Sequence, residues 1–320
     1  MTAESVSPIT GRGAGSRLVD ANPADRRLTA GDYVLYVVLV ASWSASWYAL
    51  ALQVGEVAVQ TSLFWRFVIA AVVMWVWTLA TRQRVAFPAR AHLAFGGMGL
   101  FIFCINFMLF YYGSAYLFSG LLSVVFSLAS VFNLLLIFAL TGKAPRVRVM
   151  AGALLGFSGI ALMFAPQMEG QSWTGSTMIG LGLCVAGTLS FCIGSQISAA
   201  LQKAKVPVIP ASAWGMSYGA LASLVMTLVL GNSLAIVWTP IYVGSLVFLA
   251  LVSSVLAFWS YLTLIGRIGA GRASYATVLF PVFALLISAV FEGYGFPLLA
   301  IIGLACVLAG NILVLGKSRS

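Results

Sequence analysis

The chain has 320 residues, 62% of them hydrophobic and only 8% charged, against roughly 25% charged in a soluble globular domain. The apolar residues fall in runs of about 20, the length that crosses a bilayer core of ~30 Å, so a water-soluble fold is excluded. The net charge of +10 does not mark a nucleic-acid binder, because Lys and Arg stand singly or in twos and threes between apolar runs, with no basic face and no recognition motif.

Residues 1–32 are polar, with Gly, Ser, Pro and mixed charge and no apolar h-region, and read as a disordered tail. Ten apolar runs follow, at 33–52, 60–80, 93–116, 119–140, 147–165, 177–201, 209–230, 241–265, 273–291 and 297–316. Their separators are short and hold Gly, Pro or charge, as tight turns do. Helices are expected, because an isolated strand cannot satisfy its backbone in lipid. The expected fold class is therefore an all-α polytopic membrane protein with ten transmembrane helices.

In chain order, span 1 holds Trp43, Ser44, Ser46, Trp47 and Tyr48. Trp43 and Trp47 are four apart and share a face, and they lie near mid-span rather than at an interface. Span 2 places Arg66 alone among uncharged neighbours, about six residues below the outer surface, or ~9 Å at 1.5 Å per residue. Arg66 has three readings: it snorkels to the outer interface, it braces the bundle through backbone carbonyls, or it is a substrate or gate charge that attracts a carboxylate. Gly215 stands near the corresponding place in span 7, so the charge is no requirement of a repeat. Span 3 has Asn106, with Tyr111 and Tyr112 further out; span 6 has Ser190, Ser195 and Gln196. Span 8 has Trp259, Ser260 and Tyr261; span 9 has Ser274, Tyr275 and Thr277. Aromatic walls with a few hydroxyls and amides suit a small neutral or zwitterionic amphiphile. The plain alternative for each Ser, Thr or Asn is hydrogen bonding between membrane helices. The expected binding set is Trp43, Ser44, Trp47, Asn106, Tyr112, Phe126, Ser190, Trp259, Ser260 and Phe280.

The basic residues alternate between separators. The tail, the separators around Arg82, Lys143, Lys203 and Arg267, and the end with Lys317 and Arg319 hold sixteen of the seventeen, and Arg66 is the exception. The positive-inside rule then puts both termini in the cytoplasm of a multi-pass inner (plasma) membrane protein.

The chain also repeats. Ser119–Phe132 lies over Ala273–Leu286, with Val124 on Val278 and Phe126 on Phe280; Gly152 and Gly159 lie over Gly303 and Gly310. The separator after span 3 has no basic residue while its partner after span 8 carries Arg267 and Arg272, so matching sequence carries opposite charge. Two inverted five-helix repeats, 33–166 and 167–320, around a central cavity are expected, the build of alternating-access carriers.

Arg272-Ala-Ser-Tyr-Ala-Thr-Val-Leu-Phe-Pro-Val-Phe-Ala-Leu-Leu286, with Glu292-Gly293 and a Gly-containing last helix, resembles the second half of the drug/metabolite transporter superfamily. The chain is similar to its EamA-type branch, and within it to the YddG-type amino-acid and metabolite exporters. The first half departs from the pattern, with Ser127 where Pro281 stands in the second. The resemblance implies a basket-like bundle, spans 5 and 10 peripheral to the substrate path, and export of amino acids and other small metabolites or exchange of nucleotide sugars.

An enzyme has little to work with. His92 is the only histidine, no acid pair lies within a span, and Gly316-Lys-Ser318 has Asn311 where a P-loop needs its first Gly. Cys104, Cys184, Cys192 and Cys306 sit in apolar runs and read as small apolar residues. No catalytic residue, metal or cofactor is expected. The one acid near a span is Glu292, at the outer end of span 9, which points to facilitated rather than proton-coupled transport. The reading is an exporter of small metabolites, amino acids first, neutral and aromatic ones included. A drug or nucleotide-sugar carrier of the same superfamily is the alternative, and a non-transporting scaffold the alternative of another class. Its partners are a small-molecule substrate and the lipid bilayer, not nucleic acid; monomer and homodimer are both open.

Overall fold

The computed structural model describes residues 28–142, 147–168, 175–268 and 276–315. The expectations on the tail before residue 28, and on Lys143, Arg146, Glu169, Arg272, Ser274, Tyr275, Lys317 and Arg319, fall outside these. The regular elements are helical throughout: α1 (Ala30–Ala51), α2 (Val59–Ala80), α3 (Ala89–Met98), a π-helical stretch π1 (Gly99–Asn106), α4 (Phe107–Gly113), α5 (Ser119–Ser127), α6 (Ala129–Thr141), α7 (Val147–Met168) and α8 (Gly175–Lys203). Then come α9 (Val208–Val229), α10 (Pro240–Phe248), a second π-helical stretch π2 (Leu249–Leu256), α11 (Ala257–Ile268), α12 (Ala276–Phe291) and α13 (Leu298–Leu315). Among the described residues seven helices are long and apolar enough to cross a membrane, with shorter apolar helices at Ser119–Asn133, Ala276–Phe291 and Leu298–Leu313.

α1 begins at Ala30, within the stretch read as tail. The Thr29 N–H and hydroxyl both donate to Asp32 Oδ2, at 2.9 and 2.7 Å, an acid tying down orphan donors in a first turn. Arg267 Nη1 reaches Asp32 Oδ1 at 3.4 Å, joining the start of α1 to the end of α11. Residues 29–32 are thus built structure.

Two runs are not plain α-helices. The third, α3–π1–α4, and the eighth, α10–π2–α11, each widen into eight π-helical residues midway. Such stretches are uncommon and concentrate at functional sites. The fourth run, expected unbroken, is interrupted at Leu128 between α5 and α6. Polar side chains offer the backbone and one another alternatives there: Ser127 Oγ donates to Val124 O, Asn311 Nδ2 donates to Ser127 Oγ, and Ser130 Oγ donates to Asn311 Oδ1. Its counterpart α12 carries Pro281 in its interior and stays one helix.

Small residues set the closest approach. α7 lies along α13, and a Cβ on Gly159 would come within 2.5 Å of Gly303 O, while one on Gly310 would come within 2.6 Å of Gly152 O. Only glycine lets these backbones meet, the small-residue packing of membrane helices. α2 lies along α9, α1 packs on α11 and α12, and α8 packs on π1 and α4. Large apolar side chains also cover the outside, with Val147 82% and Leu298 72% exposed, so the bundle presents to its surroundings the surface that lipid solvates.

Candidate membrane cavity

The helices converge on a cavity of about 40 Å³. Trp43 and Trp47 reach it from α1, one helical turn apart as their spacing requires. Asn106 reaches it from the end of π1, Phe107 and Phe110 from α4, and Phe126 from α5. From the second half of the chain come Phe191 of α8, Leu249 and Ser253 of π2, Phe258 of α11 and Phe280 of α12. The rings pack edge-on and tilted: Trp43 lies 6.0 Å from Phe280, Trp47 5.5 Å from Phe126, and Phe126 4.7 Å from Phe191. Phe126 and Phe280, the matched pair of the repeat, face each other at 6.0 Å. A small-molecule pocket takes roughly 300–1,000 Å³, so the cavity is closed down here and a substrate must part these rings.

Arg66 also lines the cavity, and its side chain is 0% exposed. This corrects the snorkelling reading, because the guanidinium turns into the bundle instead of climbing to an interface. It is braced by hydroxyls rather than backbone carbonyls: Nε donates to Ser254 Oγ at 3.1 Å and Nη2 to Ser253 Oγ at 3.3 Å. The guanidinium carbon stands 4.2 Å from the centre of the Phe107 ring and 5.3 Å from that of Phe67, within cation–π range. Nη1 makes no well-formed hydrogen bond, and the buried Tyr111 hydroxyl, which donates to Gln53 Oε1, interacts with the guanidinium. Trp47 Nε1 and Asn106 Oδ1 are likewise buried and unpaired, although Asn106 Nδ2 donates to Ile102 O at 3.2 Å.

The other expected site residues divide. Ser44 donates to Val40 O and Phe280 O, tying α1 to α12 beside the cavity rather than facing into it. Ser190 donates to Phe101 O, a bond between α8 and π1. Ser260 is buried with its hydroxyl unpaired, outside the cavity lining. Trp259 packs on Trp77, ring centres 5.3 Å apart, away from the cavity. Tyr112 accepts from Gln60 Nε2 at 2.5 Å and is 38% exposed. Sequence reasoning missed Ser253 and Ser254; adjacent hydroxyls inside an otherwise apolar run, facing a buried arginine, were the signal. Glu292 Oε2 accepts from Ser119 N at 3.0 Å, Ser119 Oγ at 2.7 Å and Ser288 Oγ at 2.5 Å, so the acid caps the start of α5.

Membrane-length helices gathered round a buried aromatic cavity with one fixed charge are the build of a small-molecule carrier. The model of the EamA-like transporter family matches residues 32–165 and again 178–316, and the chain belongs to that family. It is a multi-pass membrane transporter. It is similar to "Uncharacterized transporter YvbV" of Bacillus subtilis (strain 168), 25% identical over 68% of this chain and 70% of that protein. It also matches "Protein PagO" of Salmonella typhimurium, 24% identical over 46% of this chain and 49% of that one. A solved crystal structure superposes with a TM-score of 0.65 at 18% identity, covering 89% of this chain and 96% of the other, a likeness of fold.

Proposed function

We propose that the chain exports small metabolites, amino acids first, across the bacterial inner membrane by alternating access of two inverted five-helix halves, 33–166 and 167–320. Both termini lie in the cytoplasm in this reading, and the path runs through the cavity between the halves. The observation that carries it is the cavity's double origin: Trp43, Trp47, Asn106 and Phe126 come from one half, Phe191, Ser253, Phe258 and Phe280 from the other. A site between inverted repeats becomes accessible to one side or the other as the halves rock. Further support comes from the π-helical stretches of the third and eighth runs, the reciprocal glycine contacts of α7 and α13, and the two separate matches to one family model.

Neutral and aromatic amino acids fit the walls by area and by cation–π attraction for an ammonium group. A nucleotide-sugar cargo fits less well, because its diphosphate would meet a single cation among the described residues of the lining. Transport is facilitated in this reading: Glu292 is occupied in capping α5, and among the described residues no acid lines the cavity. The test is counterflow of labelled neutral amino acids into proteoliposomes, with and without a pH gradient. Saturable counterflow indifferent to pH is expected, and absence of counterflow with every amino acid contradicts the substrate class.

A further inference from the structure

We infer that Arg66, Trp47 and Asn106 form a carboxylate-binding subsite inside the cavity, with Arg66 Nη1 as its principal donor. The inference rests on the carrier reading and adds the chemical group by which the substrate is held. A guanidinium stays charged in proteins, and a buried charge is costly unless paired. Among the described residues Arg66 meets no carboxylate: Asp32 is engaged by Thr29 and Arg267, Glu292 by Ser119 and Ser288, and Glu56 is exposed in the turn before α2. Two serine hydroxyls, two ring faces and the Tyr111 hydroxyl hold the group in place without neutralising it, and Nη1 is left without a well-formed hydrogen bond in a side chain that lines the cavity.

A second donor, Trp47 Nε1, is buried and unpaired in the same lining. Two N–H donors and one positive charge suit a planar monoanion with two acceptor oxygens. A phosphate would leave further oxygens against aromatic carbon. Asn106 supplies the complementary atom, since its Nδ2 is spent on Ile102 O while its Oδ1, buried and unpaired in a residue of the lining, is an unused acceptor for a substrate ammonium. Among the described residues the lining holds one cation and no acid, so the carboxylate is the stronger determinant and the amine the weaker.

Purified full-length protein in detergent is titrated with L-phenylalanine, 3-phenylpropionate, L-phenylalaninamide and phenethylamine, reading the shift in thermal unfolding and the apparent Kd. L-phenylalanine and 3-phenylpropionate should stabilise the protein, with the two compounds lacking a carboxylate about 10-fold or more weaker. Arg66→Gln should abolish the preference while remaining monodisperse. Trp47→Phe, which keeps the ring and removes the donor, should weaken carboxylates selectively. Should Arg66→Gln fail to yield folded protein, the wild-type series and Trp47→Phe decide. Binding of 3-phenylpropionate that depends on Arg66, with no binding of L-phenylalanine, keeps the subsite and ends the reading of aromatic amino acids as substrates. Equal binding of phenylalanine and its amide, or an unchanged preference in Trp47→Phe, overturns the subsite and leaves the amino-acid reading standing. No binding of either carboxylate also overturns it.

Discussion

The Arg66 guanidinium has three kinds of contact, each making a different demand. Ser253, Ser254 and the Tyr111 hydroxyl fix its orientation, Phe107 and Phe67 offer their faces to its charge, and Nη1 is left without a well-formed hydrogen bond. Ser254→Ala leaves Nε buried without an acceptor and should lower unfolding stability by about 1.5–3 kcal/mol, the range for hydrogen bonds to charged groups. Thermal or denaturant unfolding in detergent checks this, and an unchanged stability would mean that Arg66 turns to another partner. Glu292 is the contrasting acid. Glu292→Gln keeps one acceptor oxygen for Ser119 and Ser288 but loses the charge at the α5 start, so a modest loss of stability is expected. Transport in proteoliposomes should keep its rate and its indifference to a pH gradient. A gradient-driven rate that vanishes in this variant would falsify the facilitated reading.

At the scale of the element, α7 and α13 are joined by a reciprocal backbone contact at Gly159–Gly303 and by the approach of Gly310 to the Gly152 carbonyl. Gly303→Val drives a branched side chain into the backbone of α7 and should cost about 1–3 kcal/mol as overpacking. Neither helix contributes to the cavity lining, so protein that still folds should retain counterflow per molecule; lost counterflow with unchanged stability would contradict this division of labour. The apolar runs were legible in the sequence because hydrophobic length is a local property, and Trp43 and Trp47 because their i, i+4 spacing fixes a shared face. The π-helical stretches and the break at Leu128 were not legible. They depend on which neighbour answers a carbonyl or a hydroxyl, as Asn311 does for Ser127 and Ser130 from far along the chain. Tyr112 and Trp259 show the same limit: polarity within an apolar run marks them, but only packing decides that they face Gln60 and Trp77.

At the scale of the molecule, the charge pattern and the cavity make linked claims about sidedness. Cysteines introduced at the exposed positions Ala235 and Ala86 should be labelled by a membrane-impermeant maleimide from opposite faces, Ala235→Cys from outside and Ala86→Cys only after permeabilisation. The reverse pattern would invert the topology, and labelling of both from one face would break the inverted-repeat count. The central claim is that one cavity serves both sides in turn. Ser46 lines it, is small, and its hydroxyl donates only to Trp43 O within its own helix, at 2.8 Å, so Ser46→Cys is a gentle probe. The decisive measurement is its reaction with a small charged thiol reagent, applied from each side in turn to a background in which Cys306 is replaced. Modification from both sides, slowed by a transported amino acid, is the predicted result. A thiol sealed from both sides, or open permanently to one side and never to the other, would contradict alternating access through this cavity.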